Sequence, residues 1–370
     1  RSGLGLALDS VYMRKRLMVW VFGGTATLAL LTLVLGSGSE RSVLRANPVR
    51  LSLGSAAGRA APKPTPAASA LPAVTTANAQ NGVSSEQVFH APWGAATGEL
   101  GKKAANESSP EGPASFAVDA RGRAFVLDQV NGRVQIFEPG LKPRSVPLPG
   151  DTYQDVALRS DDGIVLLDRL TKETVAFADA SGKVTHEIRL QGEGVVEAGD
   201  VTGLFQRNDG TWVEVKHANL VQIADADGAP LEDRTIVQGR MAADGKVLRA
   251  SKSGSHAAYV AEKTSDGVRA LAKVNFDLPV WQLLELDTDA RGRVFLGASL
   301  LEESAAPPFQ VIEAREVVVV LDDAGVEQAR VDLPASTGAE ESFRRLRIGA
   351  DGVLYHLAYE ERGATMRRFS

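Results

Sequence analysis

Residues 115–137 read SFAVDARGRAFVLDQVNGRVQIF. Residues 116–119 form a short apolar strand, 120–122 a tight turn in which Gly122 tolerates positive φ, and 124–128 a second apolar strand. Asn131-Gly132 then turns the chain into a third strand over 133–137. The phrase recurs as DVALRSDDGIVLLD (155–168), VTGLFQRNDGTWVEV (201–215), GRMAADGKVLRA (239–250), LLELDTDARGRVFLGA (283–298) and FRRLRIGADGVLYHLA (343–358). Its turn glycines are Gly122, Gly163, Gly210, Gly245, Gly292 and Gly352, separated by 41, 47, 35, 47 and 60 residues. A four-stranded propeller blade takes about 40 to 45 residues, so six turns predict six blades, with an insertion in the last interval. An open β-sandwich is the alternative, and it asks for less even spacing.

Fourth strands are expected at KPRSVPL (142–148), GKVTHEIRL (182–190), PLEDRTIV (230–237) and VEQARVDL (326–333). Only eighteen residues follow Gly352, enough for two more strands. The sixth blade therefore lacks its outer strand, and 87–90, ahead of the first blade, is predicted to supply it, joining the two chain ends and removing open sheet edges.

Upstream of the repeats lies LMVWVFGGTATLALLTLVL (17–35), nineteen residues without a charge, preceded by Arg14, Lys15 and Arg16. As a helix it spans about 28 Å, close to the hydrocarbon thickness of a bilayer. The basic flank predicts a short cytoplasmic tail (1–16), a transmembrane helix acting as signal anchor (17–36), and export of the rest. A cleaved signal peptide competes, with small residues 36–39 as a processing site; the apolar stretch exceeds the usual h-region of about 7 to 15 residues, which favours the anchor. Residues 37–85, rich in Ala, Pro, Ser and Thr, bury too little apolar surface to offset ordering entropy and read as a disordered linker. The expected fold class is all-β: a six-bladed β-propeller over 86–370, preceded by one transmembrane helix and that linker.

Composition narrows the chemistry. The chain of 370 residues carries a formal charge of −5, so no global basic field draws it to nucleic acid, and with no cysteine it has neither disulfides nor thiolate sites. There is no G-x-S-x-G elbow and no phosphate-binding P-loop. His186-Glu187 begins like a zinc-protease motif, but Leu190 stands where the second His belongs. Asp225, Asp227, Asp287 and Asp289 hint at calcium loops, yet turn chemistry accounts for them and the terminal bidentate Glu is missing. No cofactor, metal or catalytic residue is expected.

The stretch 113–140, PASFAVDARGRAFVLDQVNGRVQIFEPG, resembles an NHL repeat, with Asp119, Gly122, Asp128 and Arg133 at the matching positions. Blade two keeps Asp168 but has Thr174 where the Arg would stand, and from Val201 onward only the turn-and-strand pattern survives. NHL-like propellers mostly bind proteins, RNA or small ligands, and a minority are enzymes. What the resemblance implies is thus a binding module.

On the face opposite the Asp-Gly turns the repeat is expected to gather Asp128, Asp168, Lys216 and His217, with Trp93, Tyr153 and Trp281 from incoming loops. Such mixed polar and aromatic residues suit protein recognition; Asp128 and Asp168 could equally hydrogen-bond within the ring, and Trp281 could be core. The reading is a membrane-tethered, NHL-like scaffold or protein-binding module on the periplasmic side of the inner membrane, with a protein partner in the envelope. A propeller hydrolase or lyase with a channel metal, or a secreted ligand sensor, are the alternatives.

Overall fold

The computed structural model describes residues 83–104, 110–242, 244–336 and 342–370. They form six four-stranded antiparallel sheets. From the inside outward, blade 1 runs from Ser115–Val118 to Arg144–Pro147, blade 2 from Asp155–Leu158 to Val184–Arg189, and blade 3 from Val201–Arg207 to Ile236–Gln238. Blade 4 runs from Arg240–Met241 to Gly267–Asn275 and blade 5 from Val280–Thr288 to Glu327–Leu333. Inner strands of blades 1 and 2, 2 and 3, 5 and 6, and 6 and 1 touch, which brings the sheets into a ring.

Blade 6 contains Leu346–Ile348, Leu354–Glu360 and Gly363–Phe369, and its outer strand is Ser85–Pro92 from the other end of the chain. The register runs from Ser85 opposite Phe369 to Pro92 opposite Gly363. Ser84 and Ser370 exchange backbone hydrogen bonds at 3.0 and 3.1 Å, and Phe89 stacks on Phe137 of blade 1 at 3.8 Å between centroids. The expected clasp over 87–90 is present, extended at both ends.

Five of the six repeat glycines lie between the first and second strands of their blades, and Gly210 opens the second strand of blade 3. Five have positive φ; in blade 2 the left-handed residue is Asp162, φ 62°, rather than Gly163. The long last interval comes from blade 5, whose second and third strands, Val294–Glu303 and Val311–Leu321, form an extended hairpin. One expected strand is corrected: 230–237 is not continuous. Leu231 N–H donates to Ile223 O and Gln222 N–H to Thr235 O, so charged Glu232, Asp233 and Arg234 loop out, leaving Ile236–Gln238 as the strand.

Middle strands are packed on both faces by neighbouring blades, which explains runs such as AFVLD, IVLLD and TVAFA that are buried at every position. Apolar clusters fill five of the six junctions. Between blades 3 and 4 the bonding is polar, with Arg207 donating to Met241 O at 2.9 Å and Ala242 O at 3.3 Å. The expected transmembrane helix and the linker up to residue 82 lie outside the described residues; among the described residues no helix is long and apolar enough to cross a membrane.

Candidate binding site at the channel mouth

The ring interior is charged. Arg347, at the centre of the blade 6 inner strand, donates through Nη2 to Asp155 Oδ1 of blade 2 at 2.7 Å, through Nη2 to Val156 O at 3.0 Å, and through Nε to Phe116 O of blade 1 at 3.0 Å. Asp155 also accepts from Ser115 Oγ and from Leu204 N–H of blade 3. One carboxylate thereby joins four blades across the ring interior. Burial, with the like charge of Arg344, brings the Arg347 pKa down to about 10, so it stays cationic at neutral pH.

Beside this cluster a cavity of about 1100 Å³ opens among the inner ends of blades 3 to 6. Among the described residues its lining holds six cations, Arg169, Arg240, Arg249, Lys252, Arg344 and Arg345, against two carboxylates, Glu214 and Glu285. Arg240 pairs with Glu214 at 2.8 Å and with Glu285 at 3.5 Å, and its guanidinium sits 4.0 Å from the centroid of Phe205. Arg344 lies 4.5 Å from the same ring.

The two carboxyls respond differently to that Arg. Burial raises the pKa of Glu214, but Arg240 beside it, with help from His217 and Arg344, more than reverses this and holds it well below the carboxylate range. Burial also raises Glu285, and there Arg344 and Arg240 do not overcome it. The like charges of Asp287 and Glu214 add to the rise at Glu285, whereas Glu214 has the shorter contact with Arg240 and the bond with His217.

Three cations at the mouth bond no carboxylate among the described residues. Arg169 donates to Gly199 O and Val201 O, Arg249 to the backbone and side-chain oxygens of Gln238, and Lys252 to Trp281 O. In addition, Arg240 Nε and Nη1 and Arg344 Nη1 are buried without a hydrogen-bond acceptor. Positive charge is left uncompensated here in a chain whose formal charge is −5.

Of the residues singled out from sequence, His217 and Trp281 line this cavity. Trp281 is 59% exposed and is not core. Lys216 and His217 both have positive φ, 55° and 51°, as the central pair of a tight hairpin closed by Ala218 N–H to Val215 O. Neither is glycine, so the turn is strained; it is held by Lys216 N–H to Asp200 O, His217 N–H to Thr202 Oγ1, and the Lys216–Asp200 ion pair at 3.0 Å. His217 Nδ1 lies 3.2 Å from Glu214 Oε2.

The others are elsewhere. Asp128 is fully buried, accepts from Gly101 N–H and pairs with Arg133, which also bonds Ala95 O, Ala96 O and Glu99 O. Asp168 is fully buried and accepts from Thr152 Oγ1 and Thr171 N–H. Tyr153 is core between blades 1 and 2. Trp93 is half-buried, with Nε1 donating to Glu360 O. Asp225 and Asp289 each cap two backbone N–H groups of their own turns. Among the described residues no group of three or more His, Cys, Asp or Glu is placed to hold a metal ion.

Sequence reading missed the arginines. The signal was FRRLR at 343–347, three cations at and just before an inner strand, where a side chain must face the channel or a neighbouring blade.

No protein-family model and no curated protein matches the sequence. Solved structures that resemble it include virginiamycin B lyase from Staphylococcus aureus, at 10% identity and TM-score 0.41 over 70% of this chain and 94% of that one. A DUF4221 family member from Bacteroides vulgatus is similar at 11% identity and TM-score 0.45, over 79% of this chain and 99% of that one. A gluconolactonase from Xanthomonas campestris follows at 13% identity and TM-score 0.42, over 77% and 98%. At these identities and scores the likeness assigns no activity to this chain.

Proposed function

We propose that this chain is a membrane-tethered binding module, an NHL-like propeller anchored through residues 17–36 and held outside the inner membrane, that captures an acidic segment of a partner protein at its channel mouth. The supporting observation is the surplus of cations around the cavity, above all Arg169, Arg249 and Lys252, which among the described residues have backbone or amide oxygens for partners and no carboxylate. Anionic side chains entering there would meet charge already desolvated on one side, which strengthens attraction and steers encounter. Inside the ring the Arg347–Asp155 pair ties blade 6 to blade 2, as suits a scaffold more than a conduit.

The test is binding of a fluorescent oligoglutamate peptide to the full chain, followed by polarisation. Binding that falls steeply with salt, and falls about tenfold or more in an Arg249→Glu, Lys252→Glu variant, is the expected result. A peptide that fails to bind at low salt, or binds the variant equally well, overturns the reading.

A hydrolase or lyase reading has one observation in its favour, the His217–Glu214 contact. With Glu214 ionised, Nδ1 of a neutral His217 is the donor and Nε2 carries the lone pair, the arrangement of a general base. Turnover of an ester or lactone that disappears in His217→Gln would establish it. Mass spectrometry of the mature N-terminus separates the anchored form from a secreted sensor.

A further inference from the structure

The cavity owes its existence to a missing piece of blade 4. The second strand of that blade, Val247–Lys252, pairs with the third along its whole length, from Val247 opposite Lys263 to Lys252 opposite Ala258. Its inner neighbour consists of Arg240–Met241 alone, opposite Leu248 and Val247. The residues that would continue the inner strand, Ile236–Gln238, are already the outer strand of blade 3. Gly239 makes the switch at φ 128°, and a side chain there would meet Leu248 O at 2.5 Å.

In an antiparallel ladder each residue directs its N–H and C=O to one side, and the side alternates. Ala242 N–H donates to Lys246 O at the inner hairpin, and Ser253 N–H to Ala257 O at the outer one. The even-numbered residues of Val247–Lys252 therefore point inward and the odd-numbered ones outward. The inward groups of Leu248 meet Arg240; those of Ala250 and Lys252 have no backbone or side-chain partner among the described residues. Both residues line the cavity.

We infer that the acidic partner is taken up as an extended strand, its backbone pairing with Ala250 and Lys252 in the place the truncated inner strand leaves empty. This rests on the acidic-partner reading above and adds the conformation of the bound segment. An open strand edge is a template for another chain. Here the edge faces a cavity lined by Lys252 and Arg249, which bond no carboxylate among the described residues, so the strand it matches carries carboxylates on its side chains.

The experiment uses the full chain and the peptide acetyl-Glu-Val-Glu-Val-Glu-amide, with N-methyl groups on either the Glu amides or the Val amides. Only one edge of the bound strand faces Ala250 and Lys252, so one methylated set is expected to lose about tenfold in affinity while the other keeps the parent value. Hydrogen exchange at the Ala250 and Lys252 amides slows when the parent peptide binds. Ala250→Pro removes an inward N–H that no ladder bond uses, and it weakens the parent peptide; if that variant fails to fold, the methylated peptides still decide. Equal binding of both methylated sets, with unchanged exchange, overturns strand addition and leaves the acidic-partner reading intact. Failure of both the parent peptide and oligoglutamate to bind overturns both.

Discussion

Arg347 of blade 6 and Asp155 of blade 2 meet at 2.7 Å, although they stand 192 residues apart in sequence. The same Asp155 accepts from Ser115 and Leu204, so a single buried carboxylate fixes how four blades are turned toward one another. Removing one member of a buried ion pair leaves an uncompensated charge, at a cost of about 3 to 5 kcal/mol. Asp155→Ala is expected to lower the thermal midpoint sharply in calorimetry, and the double change Asp155→Leu, Arg347→Met to recover much of the loss. A single variant as stable as the parent would show that the pair does not organise the ring.

His356, on the second strand of blade 6, is buried with neither ring nitrogen hydrogen-bonded. Burial, with the nearby charges of Arg345 and Arg367, lowers its pKa to about 3. The unfolded chain then binds a proton that the folded one does not between about pH 6.5 and 3, so stability is full above that window and falls as pH drops through it. At pH 4.5 the loss from this group is on the order of 3 kcal/mol. Urea unfolding of His356→Leu at pH 7 and pH 4.5 should show a smaller decline than the parent; an equal decline places the acid sensitivity elsewhere.

Ser85–Pro92 closes the ring from the far end of the chain. Deleting residues through Pro92 uncovers the edge of Gly363–Phe369 and the buried faces of Phe137 and Met366. The truncated chain is expected to associate edge to edge, visible as higher oligomers in size-exclusion chromatography with light scattering. A monomeric truncated chain with unchanged stability would contradict the clasp.

Gly239 combines φ 128° with a 2.5 Å approach to a carbonyl oxygen, so Gly239→Ala meets both backbone strain and a backbone clash. The expected cost is about 2 kcal/mol or more, read as a lower urea midpoint. At Gly122, with φ 75° and the nearest side-chain atom 3.8 Å away, alanine meets the strain without the clash and costs less.

The charge at the channel mouth also sets the behaviour in salt. Substituting Arg169, whose guanidinium donates to Gly199 O and Val201 O and lies 5.1 Å from the centroid of Phe343, by Gln is expected to weaken acidic-peptide binding and flatten its dependence on ionic strength, with a smaller effect on the thermal midpoint than Asp155→Ala. Salt titrations of parent and variant compare the two slopes; identical slopes would remove Arg169 from the site.

Blade number, turn positions and the clasp were legible in the sequence because each is a local pattern repeated: an apolar run, a residue able to take positive φ, and a second apolar run. Such patterns reflect backbone sterics and burial period, which act over a few residues. The site was legible only in part. His217 and Trp281 were found, yet Asp128, Asp168 and Tyr153 share their type of position and are spent inside the ring. Whether a polar residue meets solvent or a neighbouring blade depends on packing that no short window contains.

The sequence by itself determined six repeats and an outer strand borrowed from the N-terminal side, since hydrophobic period and turn chemistry are properties of neighbouring residues. Tertiary structure alone decided that Arg240, Arg344 and Arg347 converge on one channel and that blade 4 leaves an open edge. Those features arise where strands distant in sequence meet, and there burial and unbalanced charge are set by the ring as a whole.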